Sequence, residues 1–149
     1  MKTKLFFFAA LCMATLTVQA QKYAVLEFET GSKIDTEEAE NITHLFLTNF
    51  HPARYSEIDR QRVNSAISEL GFPATGLDHQ QLTKLGRMLE ASFIVVGSMS
   101  EKSGEYSVDV QAIDISTGTT VATAGDTFKK SKCRKKVISI AGKLAGKIK

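Results

Sequence analysis

The sequence contains few of the residues that build disulfides and metal sites. Its 149 residues include two cysteines, three histidines and no tryptophan. Cys12 lies in an N-terminal segment that we expect to be removed, which leaves Cys133 without a partner and excludes an internal disulfide. His44 and His51 are two helical turns apart and His79 lies at a predicted helix cap, whereas a zinc site gathers three or four ligands. We therefore expect solvated histidines, no metal and no cofactor.

Motifs for nucleophilic and phosphate chemistry are incomplete. Gly97 and Ser98 supply half of the G-x-S-x-G turn that carries a hydrolase nucleophile. Residues 29–33 follow a strand as a phosphate-binding loop would, but they lack its first glycine and its spacing. The basic neighbours of Cys133 would lower the pKa of its thiol, yet no histidine base is close in sequence. These gaps predict a non-enzymatic protein; a hydrolase whose site is assembled from loops is our third hypothesis.

The first twenty residues have the pattern of a secretory signal peptide. Lys2 and Lys4 precede an apolar run over residues 5–16, and a Val-Gln-Ala segment follows at residues 18–20. We expect cleavage after Ala20, which gives a signal peptide (1–20) and one domain (21–149). A domain of that length buries roughly two-thirds of its unfolded surface. The domain would be exported to the periplasm or the outer membrane.

Two other interpretations of the N-terminus are weaker. A retained membrane helix needs ~20 apolar residues, more than this run provides. A lipoprotein needs a small residue before its lipidated cysteine, but Leu11 precedes Cys12, and cleavage there would truncate the apolar segment. No other stretch of the sequence is apolar over a length that would span a bilayer as a helix.

Charge is divided unevenly between the body of the domain and its tail. Residues 21–128 hold eight Lys or Arg against sixteen Asp or Glu, whereas residues 129–149 hold nine basic residues and no acid. A basic tail of this kind can meet an acidic protein, anionic lipid or the acidic body itself. We predict a partner or membrane surface in the tail, formed by Lys132, Arg134, Lys135, Lys136, Lys143 and Lys147.

Hydrophobic periodicity predicts an α/β fold around a central strand. Residues 91–100 are apolar on both strand faces, which is typical of a strand covered on both sides. Phe93, Val95 and Met99 would face one side, with Ile94 and Val96 on the other. Further strands are predicted over residues 22–28, 54–58, 106–115 and 119–128.

The first strand and the first helix are predicted to be amphipathic. Ala24, Leu26 and Phe28 would share one strand face, with Val25 on the other. The helix that follows would end at the His-Pro pair of residues 51–52, because proline disrupts a helix interior.

Capping residues mark the helix starts. Asp35, Asp59 and Asp78 precede helical patterns, and Glu38 and Gln81 stand where a capping box places its second member. The predicted order is strand, helix, strand, helix, helix, strand, strand, strand, helix. It gives a mixed five-stranded sheet with helices on both faces, in which crossovers make the first three strands parallel and tight turns add antiparallel strands.

The tail is predicted to form an amphipathic helix. Val137, Ala141, Leu144 and Ile148 form an apolar stripe, and the lysines lie largely elsewhere. The stripe can be buried on the sheet, or it can lie on anionic lipid. We expect burial, because the helix has no Trp or Phe to anchor it at a membrane interface and its small residues suit close packing against protein.

Four stretches, taken in order, resemble the CsgG-like family of bacterial envelope proteins, which includes the curli secretion channel and penicillin-binding-protein activators. They are YAVLEF (23–28), YSEIDR (55–60), ASFIVVGS (91–98) and IDISTG (113–118). Each stretch alone is a generic strand or turn, so their order and spacing over residues 23–128 carry the resemblance.

The resemblance implies an envelope protein that acts by binding other proteins, as an assembly, secretion-associated or regulatory module. A membrane-associated component of an outer-membrane secretion complex, using the basic C-terminal helix, is the alternative. Expected partners are envelope proteins, a second copy of the chain and, on the alternative, an anionic membrane surface, but not nucleic acid. An open edge strand over residues 119–128 would allow weak self-association.

Overall fold

The structure is a computed structural model that describes residues 20–149. Its strands are β1 (Gln21–Val25), β2 (Glu29–Thr30), β3 (Tyr55–Glu57), β4 (Phe93–Lys102), β5 (Glu105–Asp114) and β6 (Thr120–Lys129). Its helices are α1 (Thr36–Leu47), α2 (Arg60–Glu69), α3 (His79–Leu89) and α4 (Cys133–Lys147), the last preceded by a 3₁₀ turn, Lys130–Lys132. Apart from Ala20, the predicted signal peptide lies outside the described residues.

β4 lies at the centre of the sheet, as its two-sided apolar pattern predicted. The strand order is β3-β1-β4-β5-β6, with β1 parallel to both β3 and β4 and with antiparallel pairs β4–β5 and β5–β6. The two-residue β2 also pairs with β4, in parallel. The predicted mixed α/β sheet is therefore confirmed, with β2 as an addition that the sequence pattern did not predict.

Side chains of β4 alternate into two hydrophobic clusters, one on each face of the sheet. Phe93, Val95 and Met99 pack with residues of α1 and α4. Ile94 packs with residues of α2 and α3. Helices therefore cover both faces, as predicted, and the two faces of the central strand are those expected from its sequence.

The prediction for the first strand is wrong at Phe28. Val25 pairs with Val95. Glu29 pairs with Ser98, so four residue steps on one strand lie opposite three on the other. The extra residue between β1 and β2 acts as a bulge, which reverses the alternation of side chains. Phe28 therefore packs in the same cluster as Val25.

α1 is shorter than predicted, and its capping is one-sided. Asp35 accepts a 2.7 Å hydrogen bond from the Glu38 amide, but the Glu38 carboxylate binds elsewhere. The helix ends at Leu47 and not at residues 51–52. Phe50 nevertheless stays buried in the following loop, where its carbonyl accepts a 3.0 Å hydrogen bond from the Tyr23 hydroxyl.

α4 packs beside α1 and against β5 and β6. Val137, Ile140, Ala141 and Leu144 are each 0% exposed, and Ile148 is partly buried. This burial is the arrangement expected for the apolar stripe. No helix within residues 20–149 combines the length and apolar content needed to cross a bilayer.

Candidate functional site

The six basic residues predicted as a surface lie on α4 and the turn before it, and we refer to them as the α4 basic surface. Lys136 donates to the Asp126 carboxylate at 2.7 Å, and this bond lowers the pKa of Asp126. Lys147 donates to the Thr123 carbonyl at 2.6 Å. These two lysines therefore tie α4 to the edge strand β6.

The other four members of the α4 basic surface are exposed and take part in no ion pair within residues 20–149. They are Lys132, Arg134, Lys135 and Lys143. Gly142 and Gly146 are exposed on the same helix, and a Cβ added at either would meet nothing within 4 Å apart from the nearby backbone of α4 itself. The outward side of α4 is thus a cationic surface of low relief.

Cys133 begins α4, and the expectation that its basic neighbours lower the pKa of its thiol is wrong. The side chain is partly buried, and burial raises the pKa. The nearby Glu38 carboxylate raises it further, and Lys130 opposes the rise. A thiol in this setting is a poor nucleophile at neutral pH.

Glu38 joins three elements through its carboxylate. Oε1 accepts a 2.7 Å hydrogen bond from the Tyr106 hydroxyl and lies 2.7 Å from the Lys130 ammonium. Hydrogen bonds from Lys130 and then Tyr106 lower the pKa of Glu38. The ammonium also lies 5.6 Å from the centre of the Tyr106 ring. The cluster links α1, β5 and the 3₁₀ turn.

A second feature, which the sequence analysis did not find, is a cleft of about 680 Å³ at the β3 edge of the sheet. We call it the edge cleft. Its walls are formed by the outer side of α1 and the loop after it, by the end of β3 and the start of α2, and by the short segment that follows β1. Its lining is Glu27, Glu40, His44, Leu47, Thr48, His51, Glu57, Asp59 and Arg60.

Histidines apart, Arg60 is the one basic residue that the described part of the chain contributes to this lining, and it is already engaged. Its guanidinium forms an ion pair with Glu27 and donates to the Val25 carbonyl at 2.6 Å. Burial lowers the pKa of Arg60. The other Glu27 oxygen, Oε2, is buried and accepts no hydrogen bond within residues 20–149.

The remaining carboxylates of the edge cleft form no ion pair with a cation of residues 20–149. The Glu57 side chain is exposed at the strand edge, but partial desolvation against the cleft raises its pKa; His51 opposes the rise and the neighbouring Asp59 adds to it. Burial, together with the Glu57 charge, raises the pKa of Tyr23 to about 12. Four carboxylates thus face one guanidinium, and the cleft is negatively charged at neutral pH.

Sequence reasoning missed the edge cleft because its residues come from separate segments of the chain. Glu27, Glu40 and Glu57 were three acids among sixteen, and no motif for catalysis or ligand binding marked them. The one available signal was positional: Glu57 ends one parallel strand and Glu27 follows another, and the carboxyl ends of neighbouring parallel strands meet at one edge.

The catalytic candidates of the sequence do not come together. Ser98 is exposed on the sheet face, and within residues 20–149 neither it nor Cys133 is hydrogen-bonded to a histidine. His51 instead contacts the Thr48 carbonyl at 3.0 Å. No group of three His, Cys, Asp or Glu side chains in the described part of the chain could hold a metal ion.

Comparison with known proteins gives a likeness of fold and none of sequence. No protein-family model matches the chain, and no curated protein matches it. The C-terminal domain of LpoB from Salmonella enterica superposes with a TM-score of 0.58 at 15% identity, over 74% of this chain and 84% of that domain. The chain therefore has an LpoB-like fold.

Other solved structures share the arrangement. Lipoprotein GNA1162 from Neisseria meningitidis matches with a TM-score of 0.59 at 11% identity, over 73% of this chain and 80% of the lipoprotein. A PelC dodecamer from Paraburkholderia phytofirmans matches with a TM-score of 0.50 at 15% identity, over 85% of this chain and 88% of PelC. The fold is thus present in a named lipoprotein and in a protein that forms a dodecamer.

Proposed function

We propose that this chain is an exported, non-enzymatic envelope protein that acts as an assembly, secretion-associated or regulatory protein-binding module. The observation that carries the proposal is the fold it shares with the LpoB C-terminal domain over 84% of that domain. The likeness to lipoprotein GNA1162 supports an envelope location. The signal-peptide pattern of residues 1–20 agrees with export.

The α4 basic surface is the partner-facing region in this proposal. Its four unpaired members are exposed, while the apolar side of the same helix is used in the core. Contact through α4 therefore relies on charge and is weakened by salt. The alternative, a membrane-associated component of a secretion complex, would have to hold anionic lipid through the same cations without inserting the buried stripe.

The test is affinity capture from envelope extract. The bait is the mature protein, purified after the cell has processed the complete chain. We expect a specific protein partner for the wild type and at least about a tenfold loss when Lys132, Arg134, Lys135 and Lys143 are replaced by Glu. The matched control replaces four exposed cations elsewhere, Lys33, Arg62, Arg87 and Lys102, by Glu and should retain the partner.

Vesicle sedimentation distinguishes the alternative. The membrane-associated form would be favoured if the wild type binds vesicles containing phosphatidylglycerol and the variant with four Glu substitutions on α4 does not. Recovery of no specific protein, together with turnover of a small substrate by the pure protein, would refute the proposal.

A further inference from the structure

We propose that the edge cleft binds an extended, basic segment of a partner protein, which adds to the open side of β3 and places Lys or Arg side chains among the carboxylates of the cleft. This inference rests on the proposed function and adds to it the chemistry of the partner. It assigns recognition to a region on the opposite side of α1 from the α4 basic surface.

The first argument is the free strand edge. Within residues 20–149, β3 pairs with β1 along Tyr55, Ser56 and Glu57 and has no strand on its other side. Ser56 and Glu57 are exposed. The Tyr55 amide already donates to the Pro52 carbonyl at 3.4 Å, so Glu57 carries the backbone amide that this edge offers to an added strand. An open edge is a template for an added strand, which supplies the missing backbone hydrogen bonds.

The second argument is the charge beside that edge. Glu57 is the last residue of β3, and Glu40 faces the same cleft from α1. Neither takes part in an ion pair within the described residues. Asp59 uses one oxygen to cap α2 through the Gln61 amide at 2.8 Å. The cleft therefore offers carboxylates to a cationic ligand and repels an anionic one.

The third argument is the acceptor at the inner end of the cleft. Glu27 Oε2 is buried without a hydrogen-bond donor from the described chain, while Oε1 is held by Arg60. A buried carboxylate oxygen favours a donor. An ammonium or guanidinium group that enters from the partner segment supplies one, and it also balances the excess of carboxylates over Arg60.

The shape of the cleft favours a peptide over a metal ion. The acids line an open space of about 680 Å³, and no three ligating side chains in the described part of the chain are close enough to hold an ion. Leu47 adds an apolar contact to the same wall, which suits the aliphatic stem of a Lys or Arg side chain.

Three synthetic peptides test the inference on the full-length, processed protein. The first is a ten-residue peptide that alternates lysine and serine, the second replaces each lysine by glutamate, and the third is the lysine peptide with alternate backbone nitrogens methylated. We expect the lysine peptide to bind with a Kd on the order of 100 µM. The glutamate peptide should not bind. The methylated peptide should bind at least about fivefold more weakly, because it cannot donate along β3.

Two paired substitutions locate the site. Glu40→Gln with Glu57→Gln removes two carboxylates that make no ion pair with the described part of the chain, and it should weaken binding of the lysine peptide by about fivefold. Glu101→Gln with Glu105→Gln removes two acids at the β4–β5 turn and should leave Kd unchanged. Unchanged melting curves of both variants exclude a loss of folding as the cause.

Equal binding of the lysine and glutamate peptides, an equal effect of the two paired substitutions, or no binding of the lysine peptide up to 1 mM would overturn the inference. If the methylated peptide binds with the same Kd as the lysine peptide, strand addition to β3 is overturned. The capture experiment separates this failure from failure of the proposed function: if the Glu40→Gln, Glu57→Gln protein recovers as much envelope partner as the wild type, the module still binds but not through this cleft.

Discussion

At the scale of single residues, Gly97 and Phe28 depend on each other. The bulge after β1 directs the Phe28 ring over β4, where a Cβ on Gly97 would lie 2.5 Å from the ring atom Cδ1. That separation is far below van der Waals contact, and Phe28 is 2% exposed and has little room to move. The missing side chain at position 97 is therefore a packing requirement and not part of a nucleophile turn.

Gly97→Ala should lower the free energy of unfolding by about 1–3 kcal/mol, since the added methyl overpacks the core. Gly142→Ala is the matched control: apart from the nearby backbone of α4 itself, nothing lies within 4 Å of the position that a Cβ would take on this helical glycine. It should raise stability by about 0.5–1 kcal/mol through helix propensity. Urea denaturation of the three proteins provides the measurement, and a Gly97→Ala protein as stable as the wild type would contradict the packing argument.

Asp114 is a second residue whose role is local. Its Oδ1 accepts hydrogen bonds from the Ser116 amide at 2.8 Å and the Thr117 amide at 2.9 Å, and from both hydroxyls of these residues. The hydroxyl bond from Ser116 is the largest of the causes that lower the pKa of Asp114; burial opposes it and the Thr117 amide adds to it. The turn between β5 and β6 is thus organised around one carboxylate.

Asp114→Asn should lower the free energy of unfolding by about 1 kcal/mol at neutral pH, because it replaces a charged hydrogen-bond acceptor with a neutral one. The folded pKa of Asp114 is depressed, so its contribution is complete above the unfolded value of about 3.9 and is lost as pH falls through the folded value. The difference in free energy of unfolding between the variant and the wild type should therefore become smaller in acid. Denaturation at pH 7 and in acid measures it, with Asp109→Asn on the same strand as control; a gap that widens in acid would contradict this assignment.

At the scale of elements, α4 is held by its apolar side and tied at its edge by two lysines. Leu144→Ala should lower the free energy of unfolding by about 2–5 kcal/mol, because the leucine side chain is 0% exposed and its truncation leaves a cavity. Ile138→Ala, on the outward side at 37% exposed, should change stability by about 0.5 kcal/mol or less. Thermal melts of the two variants decide between a docked and a detached helix: equal small effects would mean that α4 is not part of the core.

Sequence patterns predicted most elements because they depend on local rules. The Asp78–Gln81 capping box is formed in both directions, and the two faces of β4 follow directly from alternation. The Phe28 error came from a one-residue insertion that depends on how β2 pairs with β4, which alternation within β1 cannot reveal. The edge cleft was missed for a related reason, since crossovers bring its acids together over long separations in sequence.

At the scale of the whole molecule, the two ends of the sheet differ in charge. β3 borders the negatively charged edge cleft, and β6 lies beside the basic helix α4. Both strands end the sheet within the described residues. β6 matches the edge strand that the sequence predicted, and Lys147 occupies one of its carbonyl groups, that of Thr123.

The protein should self-associate weakly through the open edge of β6. Because the two ends of the sheet differ in charge, the affinity should fall as salt is added. Val121 is 52% exposed on β6, and Val121→Lys places a charge on this strand that should reduce association. Light scattering over a concentration series at low and high salt measures both effects. Thr83→Lys on α3 is the control, and a wild type that stays strictly monomeric at high concentration would rule out this form of assembly.

The strand order has a consequence for synthesis and for the proposed export. β1 is the first strand of the described chain, yet its two neighbours, β3 and β4, begin at Tyr55 and Phe93. Pairing on both sides of β1 therefore waits until most of the chain has left the ribosome, and contacts of such long sequence separation form slowly. If the chain is exported as proposed, completing the central sheet so late keeps it open for threading through a secretion channel, and it becomes resistant to unfolding only after β4 has been made.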